Sequence, residues 1–539
     1  MSKGSFVQGT FILTFAGFCS RFIGAFFRII LASIIGDEGI GLFQMAYPIY
    51  STLLAISTAG IPIAISKMVS ERLTYGDYRG AYRVFRLSFA LLTFSGLLLS
   101  LTLYKGAAFF ANHILEQPRA YYPLLAISPA IFLVTVMSSL RGFFQGQQLM
   151  TPTALSQICE QLGRVIFAII LVVILLPRGL EFAAAGATFG AAAGAFFGLL
   201  VLIYLYLRHR GKFHIAMRRQ SGYQPESSLR LLQQIVLFSV PITLGSLVMP
   251  LVNLADMVVV VRLQDIGFSP EKASALYGQL TGMANSLIHF PTVVTMALSV
   301  SLVPAISEAF ALHNRRLIVG RTDLAMRLTM YVGLPSAAGL LILARPITIF
   351  LFDNAGASYP LAVLSVGVIF LSLYFTTAGI LQGMGKTILP TKNMFYGVAV
   401  KFALTWFLTG IPALNIGGAA AATVCGFFVA SFLNIREMGM LTGWRMDVVN
   451  AIIKPLLAVI IMVVAVLAFS QGSILFAAGY LSERALNALV TIIAVVGGAA
   501  VYGIALLLSG AISEEDLATI PRLGRLLAAI LYKFNLLRR

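Results

Sequence analysis

Charged residues are scarce in this sequence of 539 residues, since Asp, Glu, Lys and Arg together make up only 11% of it. Soluble proteins carry about 25% charged residues, so the composition excludes an ordinary soluble fold. Hydrophobic residues account for 59% of the chain. They fall in long runs, and about 20 consecutive apolar residues are enough to cross a bilayer as a helix. The sequence therefore predicts an all-α integral membrane protein.

Cysteine and histidine are also few. Cys19, Cys159 and Cys425 lie inside apolar runs without the short spacings of metal sites, and the five histidines are scattered. The sequence also has no nucleotide-binding loop and no Ser/His/Asp constellation. These absences predict that the chain is not an enzyme and that it binds no metal or cofactor. If the protein is a transporter, its energy is expected to come from an H⁺ or Na⁺ gradient, from the membrane potential or from the cargo's own gradient.

Acidic residues are scarcer than basic ones: the sequence has 20 Asp and Glu but 38 Lys and Arg, which gives a net charge of +18. The basic residues sit between apolar runs and form no single patch, which argues against a nucleic-acid partner. If the N-terminus is cytoplasmic and the runs alternate in direction, 27 basic residues fall inside and 7 outside, with the other 4 in spans. The positive-inside rule then predicts a multi-pass protein of the cell membrane with both termini cytoplasmic.

About 14 membrane spans can be counted from the apolar runs. They lie at residues 6–35, 40–66, 84–111, 121–140, 152–176, 182–207, 232–262, 274–306, 328–350, 359–384, 390–410, 416–435, 449–470 and 486–510.

An internal repeat divides these spans. Short matches recur in the same order at offsets between 237 and 241 residues. They are Ala64-Ile65-Ser66 with Ala305-Ile306-Ser307, Arg86-Leu87-Ser88 with Arg327-Leu328-Thr329, Gln145-Gly146 with Gln382-Gly383, Pro152-Thr153 with Pro390-Thr391, and Arg164 with Lys401. Each repeat holds six spans, an even number, so we expect two six-helix lobes in a parallel pseudo-repeat.

The repeat gives a domain prediction for the whole chain. Residues 1–210 form an N-lobe with spans 1–6, residues 211–230 a basic cytoplasmic linker, and residues 231–440 a C-lobe with spans 7–12. Residues 441–512 add two extra spans, 13 and 14. Residues 513–539 are predicted to form a cytoplasmic amphipathic tail whose apolar face lies on the anionic inner leaflet.

Four basic residues lie within apolar spans, namely Arg21, Arg28, Arg164 and Lys401. A cation near the bilayer centre costs at least about 2.5 kcal/mol, so such residues normally face a protein interior or a watery cavity. Arg21 and Arg28 are seven residues apart and share one helix face. Because Arg164 and Lys401 are equivalent under the repeat, we expect them to approach each other between the lobes. Four cations around one cavity suit an anionic cargo, and arginine binds phosphate oxygens bidentately.

Two acidic residues leave a structural alternative open for these cations. Glu160 lies four residues before Arg164, which is the spacing of a helical ion pair, and Asp256 in the seventh span could neutralise Arg28. As carboxylates within the membrane, Glu160 and Asp256 are also the candidates for ion coupling.

Small residues are dense at 183–198 and 417–426, within the sixth and twelfth spans. Glycine and alanine let helix backbones approach closely in membranes. These stretches therefore predict tight helix packing and carry no functional claim.

Three motifs carry a family likeness: residues 36–50 (GDEGIGLFQMAYPIY), the Gly60-Ile61-Pro62 turn, and the run from residues 290–292 to 303–308. The chain resembles the stage V sporulation protein B branch of the polysaccharide biosynthesis (oligosaccharide flippase) family, which is similar to lipid II flippases of the multidrug/oligosaccharidyl-lipid/polysaccharide exporter superfamily. The resemblance implies two lobes around a V-shaped cavity, two extra C-terminal helices, and flipping of a polyprenyl-diphosphate-linked sugar from the inner to the outer leaflet.

The resemblance also bears on single residues. Arg21 matches the first essential arginine of the lipid II flippase pattern, and Arg28 matches the second with a shift of one residue. Two further basic positions of that pattern fall on uncharged residues, near Thr52 and near Asn285 or Ser286. We expect Arg164 and Lys401 to supply the missing charge from other helices.

The sequence leaves several functions open. The cargo is expected to be a lipid-linked oligosaccharide, either the peptidoglycan precursor lipid II for the wall or spore cortex, or another lipid-linked polysaccharide unit. A cation-coupled multidrug antiporter of the same superfamily is the second class. A scaffold that recruits wall-synthesis enzymes is the third. Membrane lipids and wall-synthesis enzymes are the remaining predicted partners.

Overall fold

The computed structural model describes residues 3–58, 60–220, 226–477 and 481–511. Nearly all of these residues are helical, and the described ranges contain no β-strand. The predicted all-α fold is confirmed. The amphipathic tail predicted at 513–539 lies outside the described residues.

The chain divides into two compact units, Met1–Gly278 and Gln279–Arg539. The α-helices of the first unit are α1 (Lys3–Thr58), α2 (Ile61–Thr74), α3 (Tyr78–Phe109), α4 (Tyr121–Gly146), α5 (Thr151–Leu175), α6 (Leu180–Arg219), α7 (Ser228–Ala255), α8 (Val258–Asp265) and α9 (Pro270–Tyr277). Short 3₁₀ turns at Pro118–Ala120 and Leu176–Arg178 and a π-helical turn at Phe110–Ile114 adjoin them.

The second unit continues with nine further α-helices. They are α10 (Asn285–Ala311), α11 (Arg315–Ile342), α12 (Ala344–Phe352), α13 (Ser358–Ser365), α14 (Gly367–Gly383), α15 (Ile388–Thr409), α16 (Asn415–Thr442), α17 (Lys454–Ala477) and α18 (Glu483–Leu508). A π-helical segment, Gly278–Ala284, precedes α10, and another, Val449–Ile453, precedes α17.

Helix α1 contains a sharp turn at Gly36, which adopts φ 66° and ψ −170°. Glycine suits this turn because it reaches positive φ without a Cβ clash. The rings of Phe27 and Phe43 lie 6.2 Å apart between centroids, whereas sixteen residues of straight helix would separate them by about 24 Å. The chain therefore doubles back at Gly36, and α1 is a helical hairpin that holds the predicted first span and the start of the second.

One end of the first unit collects the starts of several helices. Arg119, just before α4, forms ion pairs with Glu38 after the α1 turn and with Glu181 in the first turn of α6. The Gln117 amide donates hydrogen bonds to the Pro270 carbonyl and to Ser274 in α9. The second, fourth, sixth and eighth predicted spans thus begin at a common end. This is the alternation of direction on which the charge count depends.

The sequence repeat corresponds to equivalent packing inside each unit. Ile65 of α2 and Ile306 of α10 are both fully buried in the apolar core of their own unit. A β-carbon on Gly146 would lie 3.0 Å from the Ser66 carbonyl oxygen, and one on Gly383 would lie 2.9 Å from that of Val303. In each repeat, therefore, the glycine at the end of α4 or α14 lets the helix rest on the backbone of α2 or α10.

Among the described residues, eleven helices are long and apolar enough to cross a membrane, or twelve if α13 and α14, bent by 45°, form one span. The first of these segments, Phe22–Thr74, contains the Gly36 turn and so covers parts of two predicted spans. Helix α15 coincides with the predicted eleventh span but is not among the eleven. The described chain thus has a helix at every predicted span, while the total of 14 membrane crossings stays a prediction.

The contact boundary at Gly278 and the predicted lobe boundary at 211–230 divide the chain differently. Helix α7, the first helix after the linker, packs on α1, α2 and α3 of the first unit, and α9 also packs on α1. The close approach of α9 depends on glycine, since a β-carbon on Gly41 would lie 1.9 Å from the Ser274 carbonyl oxygen. The lobe boundaries themselves stay predictions.

Candidate anion-binding site

Arg28 lies on the first arm of the α1 hairpin and is partly buried. Because the chain doubles back at Gly36, Tyr47 on the second arm comes close enough to act electrostatically on Arg28, and so does Arg164 of α5. Where α1 and α5 meet, a β-carbon on Gly24 would lie 3.1 Å from the side-chain nitrogen of Gln161. The polar face of α5 therefore packs along the first arm of α1.

Glu160 joins two arginines from different helices. Its Oε1 accepts a hydrogen bond of 3.1 Å from Nη2 of Arg164, one turn along α5. Its Oε2 accepts one of 2.9 Å from Nη2 of Arg141, near the end of α4. Arg141 also donates from Nε to the Ser156 hydroxyl at 2.9 Å. The carboxylate thus holds two guanidinium groups side by side, which confirms the Glu160–Arg164 pair expected from the helical spacing.

Two tyrosines of the second α1 arm complete the cluster. The rings of Tyr47 and Tyr50 lie 5.9 Å apart between centroids in an edge-to-face arrangement. The charge of Arg164 acts on both. Tyrosine offers a hydroxyl hydrogen-bonding group together with an apolar ring, which suits a partly apolar cavity.

The anion site, as we call it here, comprises Arg28, Arg141, Glu160, Arg164 and the two tyrosines. Arg141 and Arg164 share the single carboxylate of Glu160, so positive charge exceeds negative charge in this ion-paired group. The side chains of Arg141, Glu160 and Arg164 are 16%, 14% and 21% exposed. Most of each side chain is therefore buried, and a small part remains exposed. Charges in membrane helices avoid lipid, so this exposed edge is expected to face a polar cavity.

Glycines of α6 fix the position of α5 and hence of the site. A β-carbon on Gly194 would lie 2.3 Å from the carbonyl oxygen of Glu160 and 2.9 Å from the Cβ of Arg164. β-carbons on Gly190 and Gly198, one turn away on either side, would lie 2.7 and 3.1 Å from carbonyl oxygens of the α5 backbone. The tight packing predicted for the small-residue stretch at 183–198 is confirmed.

Lys401, the predicted partner of Arg164, belongs to the second unit. It lies on α15 and is only 2% exposed. Its Cβ would lie 3.0 Å from a β-carbon on Gly426 of α16, so the close packing predicted at 417–426 is confirmed as well. The approach of Lys401 to Arg164 stays a prediction.

The other candidates predicted from the sequence have separate places in the first unit. Asp256 follows α7 at the break before α8, and it is only 4% exposed. Its pairing with Arg28 and its role in ion coupling stay predictions, as does the coupling role of Glu160. The side chain of Arg21 lies outside the described part of the structure, although its backbone belongs to α1.

Sequence reasoning missed Arg141, Tyr47, Tyr50 and Ser156. In the sequence, Arg141 is one of the 27 basic residues assigned to the cytoplasmic side. The short link after α4 makes α4 and α5 antiparallel and brings Arg141 opposite Ser156. In the same way, the turn at Gly36 makes the two arms of α1 antiparallel and brings Tyr47 near Arg28. If each short turn is treated as the link between two antiparallel helices, the sequence predicts these neighbours.

Within the described ranges, no group of three or more His, Cys, Asp or Glu side chains is placed to hold a metal ion.

Comparison with known proteins agrees with the motifs in the sequence. A family model described as "Polysaccharide biosynthesis protein" matches residues 6–310, more than half of the chain. The chain belongs to the polysaccharide biosynthesis protein family. It is 31% identical over 530 residues to the stage V sporulation protein B of Bacillus subtilis strain 168, an alignment that covers 98% of this chain and 100% of that protein. The resemblance inferred from the sequence is thus confirmed.

A further relative is named as a flippase. The chain is 29% identical to the lipid II flippase MurJ of Bacillus subtilis strain 168, with 92% of this chain and 94% of that protein covered. Such relatives are not catalysts, which confirms that the chain is not an enzyme. Together with the apolar helices, they also identify it as a multi-pass membrane protein.

Two solved structures share the fold. A lipid II flippase MurJ in an inward closed conformation superposes with a TM-score of 0.63 at 16% identity, over 92% of this chain and 98% of that chain. An inward-facing multidrug resistance MATE family transporter of the MOP superfamily reaches a TM-score of 0.67 at 16% identity, over 78% and 94%. At this identity the two structures establish the fold alone.

Proposed function

We propose that this protein is a flippase that moves a polyprenyl-diphosphate-linked saccharide from the inner to the outer leaflet by alternating access. The observation that carries the proposal is the anion site: Arg141 of α4 and Arg164 of α5 share the single carboxylate of Glu160, and Arg28 of α1 lies close enough to Arg164 to interact with its charge. A diphosphate is a compact polyanion, and arginine binds phosphate oxygens through parallel charge-assisted hydrogen bonds.

Lipid II, for the wall or the spore cortex, is the cargo that we propose first. The names of the relatives support it, since one is a lipid II flippase and another a sporulation protein. Arg28 and Arg164 would bind the diphosphate, with Arg21 and Lys401 as the further predicted members of the site. Asp256 and Glu160 stay our candidates for ion coupling. Both termini would be cytoplasmic, and H⁺, Na⁺ or the membrane potential would supply the energy without a cofactor.

Export of another lipid-linked polysaccharide unit is the alternative that the same site supports, because the arginines would bind the diphosphate whatever the sugar. The fold likeness to a multidrug transporter keeps a cation-coupled drug antiporter as a further alternative. A cluster with a net positive charge disfavours cationic drugs, so we rank this function last. Wall-synthesis enzymes stay proposed partners.

Translocation in proteoliposomes tests the proposal. Purified protein would be reconstituted with a labelled polyprenyl-diphosphate disaccharide-peptide, and its appearance in the opposite leaflet would be followed over time. Arg28→Ala and Arg164→Ala are each expected to lower the flipping rate about 10- to 100-fold, because each removes a charge-assisted contact worth about 1.5 to 3 kcal/mol. Lys105→Ala, which removes an exposed cation from α3, is the control and should flip at the wild-type rate.

The outcomes separate the functions. If the wild type flips a polyprenyl-diphosphate carrying a different saccharide but not the disaccharide-peptide, the cargo is another polysaccharide unit. If it flips neither substrate, or if both arginine variants match the wild type, the flippase proposal through this site fails. Export of a cationic drug by the same vesicles would favour the antiporter.

A further inference from the structure

We infer that Glu160 is a positioning residue and Arg141 a binding residue of the anion site, and that together they make the site selective for two linked phosphates over a single phosphate. The inference rests on the proposed function and deepens it, because it names the chemical feature of the cargo that the site reads. It starts from the place of Glu160 between α4 and α5.

Each carboxylate oxygen of Glu160 accepts from a different arginine, at 2.9 Å from Arg141 and 3.1 Å from Arg164. The two oxygens of one carboxylate are close together by covalent geometry. The two guanidinium groups are therefore held as neighbours, although like charges would otherwise drive them apart. Ser156 fixes Arg141 further by accepting from its Nε.

Both guanidinium groups keep donors for a ligand. An arginine has five N–H donors, and Glu160 takes only one from each. The buried Nε of Arg164 has no hydrogen-bond partner in the described part of the chain. Within a membrane helix, a buried charged donor normally finds an acceptor, which a bound anion would supply.

Two guanidinium groups held side by side match two phosphoryl groups joined through one oxygen. Arg141 would bind one phosphoryl group and Arg164 the other, while Arg28 adds positive charge from α1. A single phosphate has fewer acceptor oxygens and less negative charge, so it makes fewer contacts with this pair. The selectivity depends on Glu160, because without its carboxylate the two arginines repel each other and lose their fixed spacing.

Binding of inorganic anions to the full-length protein in detergent tests this inference. Inorganic pyrophosphate and inorganic phosphate would be titrated separately by calorimetry. The wild type is expected to prefer pyrophosphate by at least about tenfold, the effect of one additional charge-assisted hydrogen bond. Arg141→Gln and Glu160→Gln should bring this preference close to one, since a glutamine at position 160 keeps one acceptor but turns its amide donors toward the other arginine.

Two conservative variants guard against loss of folding. Glu160→Asp keeps the carboxylate and should retain part of the pyrophosphate preference. Ser156→Ala leaves both ion pairs in place and should reduce the preference less than Arg141→Gln does. Lys105→Ala should leave the preference unchanged.

Several results would overturn the inference. A wild-type protein without preference for pyrophosphate would do so, as would a Glu160→Gln variant that keeps the wild-type preference or binds pyrophosphate more tightly. An equal loss of affinity for both anions would mean that Glu160 only supports the fold. The flippase proposal fails separately: a wild type that prefers pyrophosphate yet flips no lipid refutes the function, whereas flipping without that preference refutes only the role of Glu160 and Arg141.

Discussion

Helices α5 and α6 in the first unit and helices α15 and α16 in the second occupy equivalent places in the sequence repeat, and the comparison between them locates the anion site. At the offset of 237 that relates Arg164 to Lys401, Glu160 corresponds to Gly397 and Ser156 to Asn393. Glycines bring the helices close in both pairs. The polar groups that the two pairs carry are nevertheless different.

The second pair is linked by amides. Asn393 of α15 donates from Nδ2 to Oδ1 of Asn434 and to Oε2 of Glu437, both at 2.9 Å. Asn434 in turn donates to the Thr377 hydroxyl of α14 at 3.2 Å. At the position of Glu160 no side chain fits, because a β-carbon on Gly397 would lie 2.5 Å from the Gly426 carbonyl oxygen.

The difference teaches that the repeat conserves helix packing in both units, while two buried arginines share a carboxylate only at the first of the two compared helix pairs. The amides of Asn393 and Asn434 bond to each other, to the Glu437 carboxylate and to Thr377, so the second pair is suited to holding helices together. Beside the first pair, Arg141 of α4 and Arg164 of α5 share the one carboxylate of Glu160 and keep unused donors, which are properties of a binding site. Three stability measurements would break or sharpen this comparison.

The largest effect is expected from Glu160→Met. The change leaves Arg141 and Arg164 adjacent and mostly buried without their counter-ion, so the free energy of unfolding should fall by about 3 kcal/mol. Chemical denaturation in detergent micelles would measure it. Replacing Arg141, Glu160 and Arg164 together by methionine is the matched control, and it should recover most of the loss because no buried charge is left unpaired. A triple variant less stable than the single variant would contradict the ionic account.

Intermediate effects are expected from Gly194→Ala and Gly397→Ala. Each adds a methyl group against a backbone carbonyl, so each should lower the free energy of unfolding by about 2 kcal/mol, as overpacking does. Only Gly194→Ala should also weaken pyrophosphate binding, because only that contact lies on Glu160 and Arg164. Gly320→Ala in α11, where nothing lies within 4 Å of the added carbon, is the control and should not destabilise the protein. Weakened anion binding by Gly397→Ala would break the comparison.

The smallest effect is expected from Lys392→Met in α15. Its Nζ lies 3.4 Å from Oε1 of Glu437, and the lysine is 47% exposed, so the loss should stay below about 1 kcal/mol and shrink further in high salt. Arg141→Met, which removes a much less exposed partner, should cost more and depend less on salt. Equal losses for the two variants would mean that the second pair depends on its ion pair as much as the first does.

The sequence by itself determined much of this protein. Its composition predicted a membrane protein. Its apolar runs predicted spans, and the described structure has a helix at each of them. Small residues marked the close contact of α5 with α6 and of α15 with α16. The pair of Glu160 and Arg164 was also predictable, because residues four apart on a helix are neighbours whatever the rest of the chain does.

Only the tertiary structure decided which residues join that pair. Arg141 reaches Glu160 from another helix, and Tyr47 comes near Arg28 only because the chain doubles back at Gly36. Such contacts depend on where each helix turns and how deeply its neighbours pack, and these are set by many weak contacts distributed along the chain. Helical periodicity fixes neighbours within one helix, whereas the partners of a charge on other helices follow from the fold as a whole.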